Sequence, residues 1–108
     1  MEVDESVLKQ DELFSHKFGN LKFKIYSASI LRLKVDAIVN AANESLAHNG
    51  GVAYVIAEAA GQRLNDDCRR HINDKYRVLV TENIITSAGK LGYKSVIHAV
   101  GPIWHKYW

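Results

Sequence analysis

The residues best suited to chemistry lie between Val35 and Gly61. Val35-Asp36-Ala37-Ile38-Val39 is a short apolar run, rich in β-branched residues and too brief for a helix, so it predicts a strand. Continuous apolar strands of this kind are the ones buried on both faces in α/β sheets. The run leads into Asn40-Ala41-Ala42-Asn43, then a polar stretch ending at Asn49-Gly50-Gly51. Val52–Ala60 then predicts a helix of small residues, closed by Gly61 as its C-cap. A strand that delivers the chain to a glycine pair at a helix start presents several unpaired backbone N–H groups. The helix dipole adds partial positive charge there, which suits a phosphate. Glycine lets the backbone approach an oxyanion with no Cβ in the way. Asn40 and Asn43 add amides that both donate and accept, as ribose hydroxyls require. The same residues also describe a tight loop, with Gly for positive φ and Asn for turns. On spacing alone that reading is the stronger.

Other chemistry has less support. No GxxxxGK[ST] or GxGxxG spacing occurs. The five histidines, His16, His48, His71, His98 and His105, form no i,i+4 pair, and a single thiol cannot build a multi-cysteine zinc site. No metal and no cofactor is expected. Cys68 falls inside an amphipathic helix, where burial is the default reading over reactivity. His98, in mid-strand, reads as a satisfied core histidine. His48 sits beside the glycine pair, as a ligand contact or as an exposed loop residue.

The elements that position these residues follow from periodicity. Leu21–Tyr26 alternates, with Leu21, Phe23 and Ile25 on one face and lysines on the other, as a strand near a sheet edge does. Gln62–His71 predicts a helix with Leu64 and Cys68 inward. Arg69-Arg70-His71 reads as a solvated helix face once Asp66, Asp67 and Asp74 are counted, which argues against a nucleic-acid partner. Asn83–Ala88 and Ser95–Val100 are two further strands, separated by a turn at Gly89-Lys90-Leu91-Gly92 and stopped by Gly101-Pro102. Residues 1–16 read as an acidic leader or short helix, and 17–108 as one α/β domain.

The 108 residues are 47% hydrophobic and 24% charged, the balance of an average globular chain and not of a disordered one. No apolar run approaches the ~18 residues of a membrane span. One cysteine and no apolar leader predict an intracellular protein, nuclear or cytoplasmic. Met1–Glu12 carries five acids against one base, and the rest of the chain is moderately basic, which suits an anionic partner.

Taken together, Val35–Asn43, Gly50-Gly51-Val52-Ala53, Ala59-Ala60-Gly61, Ile85–Gly89 and Val96–Trp104 closely resemble the macro domain signature. The loop with His48 before it looks most like macro domains of multi-domain ADP-ribosyltransferases or their viral counterparts. The resemblance implies a three-layer α/β/α sandwich with a mixed sheet. It also implies a partner, ADP-ribose, free or carried on a protein. Position by position, it makes Gly50, Gly51 and Val52 the first phosphate loop and Asn43 the contact to the distal ribose. Asn40 becomes the residue that holds this loop in shape. Ser29-Ile30 stands where the family usually has Asp-Ile, so a charge-assisted contact to adenine is replaced by a neutral one. Ala53 stands in place of an aspartate that activates water in one hydrolytic branch. Water activation would then fall to Asn43 and the substrate's own phosphate, which makes Asn43 the one catalytic candidate. Thr81 stands where relatives often have glycine, a harmless loop change on this reading.

The family continues past Gly101-Pro102 with elements these 108 residues do not supply, including a second diphosphate loop. The resemblance therefore implies a domain shortened at its C-terminus, weak in binding ADP-ribose and prone to self-association through uncovered apolar surface. Three functions stay open: a module that reads ADP-ribose, an ADP-ribosyl hydrolase, and a remnant that does not bind.

Overall fold

The computed structural model describes residues 2–3 and 9–103. Trp104, which ends the last segment of the signature, and His105 lie outside the described residues. Contacts divide the chain into two compact units, meeting between Val35 and Asp36.

In the first unit, β1 (Glu2–Val3) pairs antiparallel with β4 (Leu33–Lys34), and β2 (Glu12–Phe18) with β3 (Leu21–Tyr26). The strand at Leu21–Tyr26 has the bounds its alternation predicts. The leader reading fails at Glu12: residues 12–16 are strand, neither leader nor helix. A two-residue turn, Gly19-Asn20, joins the hairpin, and Gly19 has φ +60, as a tight turn of this twist needs. Phe14 and Ile25, His16 and Phe23, and Phe18 and Leu21 face one another across the pair. His16 packs edge-on to Phe18, with ring centres 4.4 Å apart. All of these side chains are exposed.

In the second unit, β5 (Ala37–Ala42), β6 (Asn83–Thr86) and β7 (Ser95–Val100) form a mixed sheet in the order β5-β7-β6. β7 lies between its neighbours, parallel to β5 and antiparallel to β6. α1 (Gly51–Ala60) and α2 (Gln62–Lys75) follow β5, and α1 packs on β5 while α2 reaches β6. α2 runs a turn longer than its pattern predicts, and Leu64 and Cys68 are buried as expected. Its outer face carries Arg69–Asp66 and Arg70–Asp67 ion pairs, each at 3.3 Å.

Alternation decides which sheet face is core. Ile38, Asn40, Val96, His98 and Val100 are buried on one face. On the other, Val39, Ile97 and Ile85 form a row across the three strands, with Val39 55% and Ile85 66% exposed. The expectation of a strand buried on both faces is therefore corrected. β5 is covered on one side only, because both helices of the unit follow the same short apolar run and its inward residues alone meet them.

Candidate functional site

The chain leaves β5 at Ala42 and turns through a loop built on Asn43. Its carboxamide oxygen accepts the Ala47 N–H at 2.9 Å and the Ser45 hydroxyl at 3.1 Å, and its amide nitrogen donates to the Ala47 carbonyl at 2.7 Å. Three bonds from one side chain fix five residues of loop. Asn43 is thus occupied in its own loop. Beside it, at the carboxyl ends of β5 and β7, is a cavity of about 400 Å³ lined by Asn43, Ser45, Arg77 and Val100. The carboxyl end of parallel strands is where open α/β sheets take ligands.

Gly50 and Gly51 start α1. Gly50 is extended, Gly51 has φ +59, and no side chain caps the helix. The first acceptor inside the helix is the Gly50 carbonyl, which takes the Tyr54 N–H at 3.3 Å. The N–H groups of Gly51, Val52 and Ala53 therefore have no helical partner. A Cβ on either glycine would meet nothing within 4 Å. Val52 is half exposed, whereas the Ala53 methyl is buried at 7% exposure. Ala53 carries no group that could activate water, so its backbone N–H is what it can offer a ligand. The glycine pair does not line the cavity beside Asn43.

Asn40 is not at the surface. It is fully buried, with its amide nitrogen 2.9 Å from His98 Nδ1. Ser29, in the first unit, caps the short 3-10 turn Ile30–Arg32 by accepting from the Leu31 N–H at 3.3 Å. Its hydroxyl is exposed, and Ile30 beside it is half-buried.

The fold assembles a polar layer under the loop that periodicity does not reveal. His98, fully buried in β7, meets Thr86 Oγ1 at 2.8 Å through Nε2, and Thr86 donates onward to the Ser87 carbonyl. Cys68 Sγ lies 3.8 Å from His98 Nε2 and 3.4 Å from His48 Nε2. The His48 and His98 rings stack at 5.4 Å. His48 is thus neither a free loop residue nor aimed at open solvent. Burial pushes the Cys68 thiol up to about 11, with the Asp67 carboxylate adding to the effect. Burial also holds His98 down to about 4, helped by its histidine neighbour, and lowers His48. At pH 7 the His98 ring is neutral and the thiol protonated, so Cys68 is not held as a thiolate by its surroundings.

A family model described as Macro domain matches residues 39–108. The chain belongs to the macro domain family. It is 45% identical over 83 residues to the human protein mono-ADP-ribosyltransferase PARP14, covering 77% of this chain and 5% of that one. It is equally similar, 45% over 83 residues, to an O-acetyl-ADP-ribose deacetylase of Salmonella newport, covering 77% of this chain and 46% of that enzyme. An Oceanobacillus iheyensis macrodomain solved with ADP superposes with a TM-score of 0.82 at 35% identity, over 87% of this chain and 51% of that one. A mutant of that macrodomain solved with ADPR superposes equally well, at 34% identity. This chain spans about half the length of the solved macrodomains and less of the relatives named here.

Proposed function

We propose that the chain recognises ADP-ribose, free or linked to protein, and holds its diphosphate on the backbone of Gly50, Gly51 and Val52. The observation that carries this is the open, uncapped glycine start of α1, with no Cβ and no neighbour within 4 Å. Unpaired N–H groups at a positive helix end favour a multiply charged anion. The likeness to a macrodomain solved with ADP and with ADPR supports the diphosphate as that anion. Asn43 shapes the loop, and Asn40 secures it from below through His98. The Cys68 thiol, reduced and buried, supports an intracellular setting. The exposed Val39–Ile97–Ile85 row supports self-association at high concentration.

Titration of the isotope-labelled chain with ADP-ribose, followed by amide NMR, tests the reading and works at weak affinity. The amides of Gly50, Gly51 and Val52 are expected to shift first and furthest. Saturating ADP-ribose that leaves these three unmoved would refute it. Similarity to the deacetylase favours hydrolysis as a second reading. With the Ala53 side chain buried and Asn43 bonded to its own loop, turnover of O-acetyl-ADP-ribose is expected to be slow or absent, as a coupled acetate assay would show.

A further inference from the structure

His48, Cys68 and His98 come from the loop before α1, from the middle of α2 and from β7, and one donor atom of each lies within 4.8 Å of the others. We propose that they form a site for a single Zn²⁺, with two imidazoles and one thiolate as ligands. Zinc takes thiolate at ~2.3 Å and imidazole at ~2.0–2.1 Å, so in a tetrahedral site neighbouring donors stand roughly 3.3–3.6 Å apart. The sulfur stands 3.4 Å from His48 Nε2 and 3.8 Å from His98 Nε2. The histidine nitrogens lie within 4.8 Å of each other on stacked rings 28° apart, so both rings must turn for their in-plane lone pairs to converge on one metal. One sulfur and two nitrogens form a borderline-soft set that suits zinc better than magnesium or calcium.

The surroundings meet a further requirement at His98, whereas the second ring nitrogen of His48, Nδ1, is buried without a hydrogen-bond partner. A metal-bound histidine is oriented by a partner on its second ring nitrogen. At His98 that nitrogen is Nδ1, where the Asn40 carboxamide sits 2.9 Å away, leaving Nε2 toward the sulfur. Asn40 is fully buried and its oxygen has no partner. Exchanging the ends of that amide, which geometry alone does not distinguish, sets the oxygen to accept from Nδ1–H. Thr86 gives up its contact to Nε2 without being stranded, because it still donates to the Ser87 carbonyl at 3.1 Å. A cavity of about 300 Å³, lined by His48, Cys68, Gln62 and Asn65, provides an entry path and room for a fourth ligand. Binding is a proton exchange: Zn²⁺ forms a bond to Sγ, the S–H bond breaks, and the proton leaves to solvent. The metal would tie the loop two residues ahead of Gly50 to α2 and β7. The site stands whether or not ADP-ribose binds.

The test uses the full 108-residue chain, reduced, stripped with chelator and titrated with Co²⁺, then Zn²⁺. One Co²⁺ per chain is expected, with a thiolate-to-cobalt charge-transfer band, strong tetrahedral visible bands and displacement by Zn²⁺. Cys68→Ala should abolish the charge-transfer band. His48→Ala, at a half-buried loop position, should weaken binding by at least ~100-fold, the upper end of what loss of an outer partner costs. Circular dichroism establishes that each variant is folded. A folded wild-type chain with no charge-transfer band overturns the proposal, as does unchanged Co²⁺ affinity in either folded variant.

Discussion

Two glycines of this chain share one backbone conformation and have different reasons for it. Gly51 and Gly89 both have φ +59, a region most side chains avoid. A Cβ at Gly89 would land on the Ala60 carbonyl, which closes α1 and accepts the Lys90 N–H at 2.8 Å. A Cβ at Gly51 would meet nothing within 4 Å. Gly89 is therefore glycine because the protein occupies the space. Gly51 is glycine where the protein leaves the space open. An open front is not enough by itself, since Gly19 in the hairpin turn has φ +60 and the same free space; Gly51 differs in standing at the uncapped start of a ten-residue helix.

The largest effect expected of this comparison is at Gly89. Gly89→Ala adds overpacking against backbone to a left-handed strain and should cost about 3 kcal/mol in urea unfolding. Gly51→Ala bears the strain alone, about 1 kcal/mol. Equal losses at the two positions would break the comparison. Gly51→Glu sharpens it from the other side. A carboxylate in the open front should weaken ADP-ribose binding at least ~10-fold, about 1.4 kcal/mol, at a stability close to that of Gly51→Ala. Calorimetry or NMR titration on the folded variant reads this directly. Asn43→Ala removes three loop bonds at an exposed position, for a loss of about 1 kcal/mol and faster hydrogen exchange at the Ala47 amide. The smallest change expected is a gain. Thr81 is a β-branched residue at φ +76, so the loop change read as harmless in the sequence carries strain. Thr81→Gly should stabilise the chain by roughly 0.5–1 kcal/mol, seen as a raised urea midpoint.

Much of this was legible from local pattern. Leu21–Tyr26 and Ser95–Val100 have the bounds that alternation predicts, and α1 begins one residue before its predicted start. The strand at Glu12–Phe18 was missed although a signal existed. Phe14, His16 and Phe18 alternate, and Gly19-Asn20 separates them from the next alternating run, which is the mark of a hairpin. The acidic start of the chain masked it. Val39 was read as interior because a short apolar run does not say how many faces are covered.

What the sequence determined by itself is the order of the elements after Val35, the glycine start of α1 and the family to which the chain belongs. Those follow from periods of two and 3.6, from turn residues and from a contiguous signature, each of them local along the chain. Tertiary structure alone decided that Asn40 points inward to His98, that the Ala53 methyl is core, and that His48 and His98 meet at Cys68. These residues stand 20 or more positions apart, on a loop, a helix and a strand. Their meeting depends on how α2 packs and on the parallel register that sets Asn40 opposite His98, neither of which any local period encodes.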